Sequence, residues 1–543
     1  MKISTSVVFA AAVLALSFVP AAAQPPSSAA AVEVKPGGIR GRVIAADTGK
    51  PLRRARLSLT PAGGSAWSRP LIANTDASGR FEFKDVPPGS CYIAASRAGY
   101  LNVQYGQRRP RELGLAVTLR AGRTIEDLDI ALPRGGVLSG RITDELGEPY
   151  PGVRVDVLGT RYDLGKRVPF PIGTATTDDL GQFRVAGLQP GDYYVVASST
   201  ETWRNEKQET FGYASTYFPG GAADSAQLIP LRPSERRADL IFSLHAVRTV
   251  RIAGVVRREN GQSMSGAGVS LAYTYPGIMM VAGSRSVRTA ADGSFEFKDV
   301  AAGTYGVFGG GGEQTLTVAD ADIQGIELVS KTGSTVLGTL ASDDGAPLPF
   351  STSGVRVALE APLGKVLPTV RIVAVDTDWS FKMTGLGGPF VFRVIGAPED
   401  WMMASVRLAD KDITDVPWDV PTGGKEIAGL KIVLTRKVGR LAGTVADSRG
   451  APTSAATVVV FADDPELWLP ESRFIRAIRP GIDGRFSIAG LPAGAYRAIA
   501  RDFIEAGQWE DPKFLEEARD GAPRFVLGEG GSETISLRLP PVK

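Results

Sequence analysis

The sequence TDASGRFEFKDVPPGSCYIAAS, at residues 75–96, decides the fold of this 543-residue chain. Phe81 and Phe83 alternate with charged residues, and Cys91 and Ile93 alternate with polar or small residues after a Pro-Pro-Gly break. Apolar side chains at every second position are typical of a β-strand with one buried face. We therefore predict two β-strands here, paired as a β-hairpin, with the two phenylalanines in a hydrophobic core.

The same pattern occurs four more times, at residues 177–198, 291–308, 376–394 and 482–500. Before each copy the sequence predicts a strand that begins near a glycine, and after each copy it predicts a further alternating strand. The copies lie about 100 residues apart. Units of this length, with several short strands, favour β-sandwiches over solenoid repeats. The chain is therefore predicted to be all-β, with five tandem β-sandwich domains and a short helix at residues 511–519 in the last.

The predicted domains span residues 37–135, 136–249, 250–333, 334–438 and 439–543. Residues 1–23 resemble a secretory signal peptide, because Lys2 precedes an apolar run that ends in an Ala-x-Ala site at Ala23. Residues 24–36 are rich in alanine, proline and serine and are predicted to be a flexible spacer. We expect cleavage near Ala23, export to the periplasm, cell surface or medium, and a mature chain without a transmembrane span. An uncleaved N-terminal anchor is the alternative.

Composition gives few signs of a specific chemistry. A net charge of +3 makes no strong electrostatic demand for nucleic acid. The basic run at residues 108–111 is interpreted as a solvated surface. Cys91 is the only cysteine, so the chain forms no internal disulfide, and its place in the alternating pattern predicts a buried apolar residue rather than a reactive thiol.

The repeated order of Gly-x-Val, Gly-x-Pro, Asp-x-x-Gly-x-Phe-x-Phe and Pro-Gly-x-Tyr-x-Val-x-Ala resembles the carboxypeptidase regulatory-like (transthyretin-like) domain. The resemblance covers nearly all of the mature chain and is loosest in the fourth copy. It implies a Greek-key sandwich of the transthyretin or prealbumin type, with about seven strands in each domain. Similar domains accompany metallocarboxypeptidases, precede outer-membrane receptors and group with carbohydrate-binding-like folds.

No catalytic, cofactor or metal site is predicted. A zinc peptidase needs two histidines and a glutamate around the metal, and this chain has a single histidine, His245. We predict that His245 is an exposed residue of a short linker at residues 245–249. Aspartates in the turns, such as Asp178 and Asp344, are candidates only for weak calcium binding, and a turn-forming role is favoured.

A binding site is the functional feature that the sequence does suggest. The insertion at residues 202–220 carries Trp203, Tyr213, Tyr217 and Phe218 among polar residues. Aromatic faces with a few polar groups are typical of carbohydrate sites. We therefore predict these four residues as ligand-binding candidates. The alternative is that they cap the domain core or hold adjacent domains together.

These observations favour an exported, non-catalytic binding or scaffold protein of the bacterial cell envelope. Its expected partner is a polysaccharide or an envelope protein, and we expect a monomer. The alternative is an accessory protein to a separate peptidase or outer-membrane receptor. Short linkers between the domains predict an elongated, fairly stiff rod.

Overall fold

The structure is a computed structural model that describes residues 35–62, 70–275, 278–360 and 371–541. The predicted signal peptide and all but the end of the predicted spacer lie outside the described residues. The described chain is almost entirely strand and turn, and its sheets form five consecutive sandwiches. The all-β prediction of tandem sandwiches is therefore confirmed, whereas the exact domain boundaries stay predictions.

The strands of the first domain are β1 (Gly37–Ala45), β2 (Arg56–Pro61), β3 (Leu71–Asn74), β4 (Arg80–Val86), β5 (Gly89–Ser96), β6 (Val103–Gln104), β7 (Val117–Leu119) and β8 (Thr124–Leu132). Those of the second are β9 (Gly136–Thr143), β10 (Arg154–Asp163), β11 (Lys166–Thr176), β12 (Gln182–Leu188), β13 (Gly191–Ser198), β14 (Thr202–Arg204), β15 (Thr210–Ala214), β16 (Thr216–Tyr217), β17 (Ile229–Leu231), β18 (Arg236–Ser243) and β19 (His245–Arg248). The third contains β20 (Val250–Arg258), β21 (Gly268–Tyr275), β22 (Ile278–Arg288), β23 (Ser294–Val300), β24 (Gly303–Gly309), β25 (Gly312–Val318) and β26 (Ile323–Ser330). The fourth contains β27 (Ser334–Ser342), β28 (Arg356–Glu360), β29 (Arg371–Ala374), β30 (Ser380–Leu386), β31 (Gly388–Ile395), β32 (Met402–Leu408), β33 (Lys411–Asp412), β34 (Trp418–Val420) and β35 (Glu426–Thr435). The fifth contains β36 (Gly439–Ala446), β37 (Thr457–Ala462), β38 (Arg476–Ile478), β39 (Arg485–Leu491), β40 (Gly494–Arg501), β41 (Arg524–Leu527), β42 (Ser532–Arg538) and the helix α1 (Pro512–Arg519).

All five domains share one topology. In the first sheet the opening strand pairs antiparallel with the phenylalanine-bearing strand on one side and parallel with the closing strand on the other, as in the order β4-β1-β8. The second sheet is built around the following strand pair, as in β3-β2-β5. The chain therefore crosses between the two sheets several times in every domain, as a Greek-key sandwich requires.

The predicted hairpin at residues 75–96 is wrong, although its two strands exist. β4 pairs with β1, whereas β5 pairs with β2, so the two strands lie in opposite sheets. The Pro-Pro-Gly break carries the chain across the sandwich instead of turning it back on itself. Gly89 takes a φ of +136° at this crossing, a conformation that favours glycine. Alternation showed which faces are buried but not which strands are partners.

The phenylalanines of the repeated pattern are core residues in every domain. Phe81, Phe183, Phe295, Phe381 and Phe486 are between 2% and 6% exposed. The next strand contributes a tyrosine in three domains. Tyr193 donates a hydrogen bond to the carbonyl of Gln189 at 2.6 Å, and Tyr305 and Tyr496 make the same contact four residues back. The phenol can therefore be buried without leaving its hydroxyl unpaired.

Cys91 takes the place of this tyrosine in the first domain. Its side chain is 1% exposed and its Sγ donates to the carbonyl of Val117 at 3.4 Å. Burial raises the pKa of the Cys91 thiol to about 11. The prediction that Cys91 is buried is therefore confirmed, and the raised pKa keeps its thiol protonated at neutral pH.

The short helix of the last domain is also confirmed. Helix α1 begins after Asp511, whose carboxylate accepts a hydrogen bond from the Lys513 amide at 2.9 Å, and Pro512 takes its first position. Leu515 and Ala518 are buried in the core of the fifth domain. The capping residues and the apolar face that the sequence displays thus fix this helix on its sandwich.

The five domains do not form the predicted rod. The fifth domain returns to the first, where Arg111 pairs with Glu505 at 2.7 Å and Arg109 pairs with Asp502 at 3.1 Å. The Arg479 side chain donates to the carbonyls of Gly106 and Leu113 and lies 3.6 Å from Glu112. The chain is therefore closed from its first domain to its last.

The basic run at residues 108–111 is part of this contact, so its interpretation as a solvated surface is wrong. The Arg108 guanidinium bonds the Glu112 carboxylate, which is fully buried, and donates to the Asp502 carbonyl at 3.0 Å. A cluster of like charges in a sequence is usually solvated. Arg108 has a local partner in Glu112, but the carboxylates that pair with Arg109 and Arg111 come from a domain almost 400 residues away, and no local pattern indicates them.

Candidate functional site

The aromatic insertion of the second domain forms a small sheet of its own rather than a loop. Strands β14 and β15 form a hairpin, and β19 adds to its edge in the order β14-β15-β19. The predicted linker at residues 245–249 is therefore mostly a strand. His245 pairs with Ala214 in this sheet, and its side chain is exposed as predicted.

The structure brings the four candidate ligand-binding residues to different places. Trp203 is half-buried, with its ring 4.9 Å from that of Tyr213, and Tyr213 is 6% exposed. Tyr217 is 3% exposed and packs in a small cluster that reaches Tyr273 of the third domain. Phe218 lies edge-on to Phe242 of the second-domain core.

Of these four residues, Tyr213 lines a large cleft of the structure. The cleft, of about 450 Å³, lies between the second and third domains, and we call it the domain 2–3 cleft. Its aromatic wall consists of Tyr213, Tyr273 and Tyr305. Its polar wall consists of Ser198, Ser199, Thr200, Glu201, Thr202, Ser215, Thr249, Arg285 and Asp299. The cleft thus combines three phenol rings with several hydroxyls and a few charges.

Hydrogen bonds hold the tyrosines of the cleft in place. Tyr213 donates to the Glu145 carboxylate at 2.7 Å, and Tyr305 donates to the Ala301 carbonyl at 3.0 Å. The Tyr305 ring meets the Tyr273 ring edge-on at 5.6 Å. Burial first, and then the bond to Glu145, raises the pKa of Tyr213. Burial likewise raises the pKa of Tyr305, so both of these phenols stay neutral across the physiological range and offer ring faces rather than charge.

Two of the three charged side chains that line the cleft make hydrogen bonds to other groups of the protein. The Arg285 guanidinium donates to the carbonyls of Lys298 and Asp299 at 2.5 and 3.0 Å. The Glu201 carboxylate accepts a hydrogen bond from the Tyr150 hydroxyl. The arrangement suits a neutral, hydroxyl-rich ligand better than a strongly charged one, because three tyrosines and six serine or threonine side chains line the cleft beside three charged side chains of both signs.

Sequence reasoning missed Tyr273 and Tyr305 as residues of this site. Tyr305 has the appearance of a core residue because it repeats the position of Tyr193, and Tyr273 lies in the strand before it. The usable signal was the Tyr-Thr-Tyr run at residues 273–275, which puts two aromatic side chains on one strand. Only the docking of two domains turns such a surface into a cleft.

The turn aspartates are occupied by the backbone. Asp178 accepts from the amides of Leu180 and Gln182 at 3.0 and 2.8 Å, and Asp344 accepts from the Ala346 amide at 2.9 Å. The described residues contain no cluster of three or more His, Cys, Asp or Glu side chains arranged for a metal ion. In the described part of the chain, no helix combines the length and apolar character that crossing a membrane demands.

The chain matches the carboxypeptidase regulatory-like domain family at residues 38–133 and 137–212. The two matches cover nearly all of the first domain and the first two thirds of the second. The three domains that follow repeat their topology around the same opening and closing strands. No curated protein matches the chain.

Solved structures with similarity to the chain include several bacterial pilins. The Bacillus anthracis TIE protein is 14% identical, with 54% of this chain and 50% of that chain covered and a TM-score of 0.16. The chain thus spans half the length of that protein. GBS52, the minor pilin of Streptococcus agalactiae, is 16% identical over 39% of this chain and 97% of that chain, with a TM-score of 0.23. The RrgB pilus protein of Streptococcus pneumoniae is 11% identical over 75% of this chain and 98% of that chain, with a TM-score of 0.14.

Proposed function

We propose that the protein is an exported, non-catalytic binding scaffold of the cell envelope and that its domain 2–3 cleft binds a neutral carbohydrate. The proposal is carried by the observation that Tyr213, Tyr273 and Tyr305 line the same cleft as six serine and threonine side chains. Sugars stack their C–H faces on aromatic rings and exchange hydrogen bonds with neutral hydroxyls. A cleft of about 450 Å³ has room for a short stretch of a polysaccharide.

The proposal keeps one of the four residues that the sequence suggests as a ligand contact and gives two of the others a supporting part. Tyr213 lines the cleft, whereas Tyr217 belongs to the buried cluster that reaches Tyr273 at the contact between the two domains. Trp203 supports Tyr213 from the core side of the small sheet. Substitution of Trp203 would then weaken binding only through the position of Tyr213.

A glycan array with the chain from Gln24 to Lys543, with and without Ca²⁺, tests this function. We expect selective retention of one class of neutral polysaccharide, independent of Ca²⁺. Tyr273→Ala should reduce retention about tenfold or more, because a stacked aromatic ring is lost. Tyr105→Ala, a half-buried tyrosine outside the cleft, is the matched control.

A blank array, or equal retention by the wild type and Tyr273→Ala, would contradict the proposal. Thermal unfolding of both variants shows whether each is still folded, so that lost retention is not caused by unfolding. A pull-down from the envelope fraction would then test protein partners, including a separate peptidase or an outer-membrane receptor.

A further inference from the structure

A second cavity lies where the first, fourth and fifth domains meet, and its chemistry differs from that of the domain 2–3 cleft. Its volume is about 740 Å³. Four arginines line it, namely Arg393, Arg440, Arg473 and Arg476, and Glu399 is the only carboxylate among the described lining residues. We call it the arginine cavity. Its walls are therefore strongly cationic, although the whole chain is almost neutral.

Two of the four guanidinium groups share one carboxylate. Arg473 makes a bidentate pair with Asp415, at 2.7 and 2.8 Å, and donates to the Met403 carbonyl. The Arg393 guanidinium lies 3.9 Å from the same carboxylate and donates to backbone carbonyls, including that of Glu471 at 3.3 Å. Asp415 thus pairs directly with both guanidinium groups, and Glu360 and Glu471 act on Arg393 from farther away.

The other two guanidinium groups have no described carboxylate within 4.0 Å. Arg476 donates to the carbonyls of Ser472 and Ile475, at 3.1 and 2.8 Å. Arg440 is exposed and makes no side-chain hydrogen bond or ion pair with the described residues. Burial lowers the pKa of Arg476 and of Arg393, yet a guanidinium remains charged at any physiological pH. Glu471 acts on Arg476 from beyond ion-pair distance, so Arg440 and Arg476 both keep a guanidinium without a direct carboxylate partner among the described residues. A bound anion would supply that partner.

Neutral groups of the cavity narrow the chemistry further. The Ser90 and Thr118 hydroxyls lie side by side at 2.9 Å, with the Tyr92 ring on the same domain. Ser487 adds a hydroxyl from the fifth domain. Guanidinium forks match the planar geometry of a carboxylate, and hydroxyls with a phenol ring match the rest of a sugar.

We propose that the arginine cavity binds an acidic oligosaccharide of two or three sugars and that Arg440 and Arg476 hold its carboxylates. This site goes beyond the function proposed for the domain 2–3 cleft and does not depend on it. The volume of the cavity lies in the range that such a ligand needs. Because three domains contribute to its walls, the ligand would also hold the closed arrangement of the chain together.

Calorimetric titration of the full mature chain with trigalacturonate tests the proposal. We expect saturable 1:1 binding that weakens as NaCl is raised, because the contact is largely ionic. Arg440→Gln should weaken it about tenfold or more, and since this side chain is exposed the variant keeps its fold. Arg449→Gln removes the same charge from a side chain that is 90% exposed in the same domain, and it should bind like the wild type. Neutral maltotriose should not bind at this site.

Equal affinity of the wild type and Arg440→Gln for trigalacturonate would overturn the proposal. Binding of inorganic phosphate as tight as that of trigalacturonate would also overturn it, because the cavity would then recognise any small oxyanion. Trigalacturonate binding that survives Tyr273→Ala but not Arg440→Gln would support this site independently of the cleft. The reverse pattern would assign the ligand to the domain 2–3 cleft and reject the arginine cavity.

Discussion

The glycine in the opening strand of each domain allows the closing strand to pack closely against it, because glycine has no Cβ atom. A Cβ on Gly140 would lie 1.8 Å from the carbonyl oxygen of Leu240, and on Gly254 it would lie 2.4 Å from that of Ile326. Both carbonyls belong to the closing strand, which runs parallel to the opening strand at this point. The sequence marks these glycines as a repeat, but their role depends on a strand some 70 to 100 residues later.

Gly254→Ala should therefore destabilise the third domain by roughly 1–3 kcal/mol, as overpacking does. The added methyl group would also press on the Phe295 ring, 2.8 Å away. Gly268→Ala is the matched control in the same domain, because a Cβ there meets no atom within 4 Å. The stability of the third domain in both variants is measured by the hydrogen-exchange protection of its peptides. Equal protection in the two variants would show that the close approach does not hold this register.

A buried threonine joins two turns in each of the first three domains. In the second domain the Thr177 hydroxyl accepts from the Val153 amide at 2.9 Å and donates to the Tyr150 carbonyl at 2.8 Å. Thr75 and Thr289 make the corresponding pairs of bonds. The sequence shows these threonines only as the first residue of a polar turn.

Thr177→Val should cost roughly 1–3 kcal/mol in the second domain, because a buried amide loses its acceptor. The neighbouring Thr176 is exposed, and Thr176→Val should change stability by less than about 0.5 kcal/mol. The two variants are compared by thermal unfolding and by the hydrogen-exchange rate of the Val153 amide. A Thr177→Val variant as stable as Thr176→Val would mean that the hydroxyl contributes nothing there.

At the scale of elements, the sequence predicts the strands well and their partners poorly. Alternation finds the two strands at residues 75–96 because each has one buried face. Alternation does not distinguish two strands paired in a hairpin from two strands in opposite sheets, because the same residues are buried in both arrangements. The small sheet β14-β15-β19 was missed for a related reason. Its third strand follows the end of the predicted domain core, and its pairing depends on an insertion about 30 residues earlier.

A carboxylate near helix α1 predicts a pH dependence at this scale. Burial, and then the charge of Glu471, raises the pKa of Glu510 to about 7. Asp163 of the second domain and Glu360 of the fourth raise it further. The folded-state pKa of Glu510 is above the unfolded value of about 4.3. Its contribution to stability is therefore complete below about pH 4.3 and is lost as the pH rises from there through 7. We expect the thermal midpoint to drop by a few degrees between pH 5 and pH 8.

Glu510→Gln should remove most of this drop, because the amide stays neutral at both pH values. Glu466→Gln, at an exposed position of the same domain, should leave it in place. Scanning calorimetry at the two pH values compares the variants. A drop of the same size in Glu510→Gln would assign the pH dependence to another group.

At the scale of the whole molecule, composition and linker length were poor guides. Short linkers predict a rod only if domains that are distant in the sequence make no contact with each other. Here the Arg479 and Glu112 side chains are 1% and 0% exposed, so the contact between the first and fifth domains buries a pair of opposite charges. The two residues lie 367 positions apart, and neither belongs to the repeated pattern. The arginine cavity escaped prediction for the same reason, because its walls come from three separate repeats.

The closed arrangement itself can be tested by exchanging charges. Arg111 and Glu505 form an ion pair across the contact, and their side chains are 25% and 14% exposed. Arg111→Glu places two carboxylates together and should open the chain, and Glu505→Arg should do the same with two cations. Small-angle scattering should then show a larger radius of gyration for each single variant than for the wild type. The double variant should recover at least part of the compact radius, because opposite charges face each other again.

Arg120→Glu is the control for the change of net charge, because this exposed side chain makes no ion pair with the described residues. It should scatter like the wild type. A wild-type chain that already scatters as an extended array would reject the closure outright. Loss of compaction in both single variants without recovery in the double variant would also contradict the pairing, since repulsion alone would then not explain the opening. Recovery would show that ion pairs of the first and fifth domains, rather than the linkers, set the shape of the molecule.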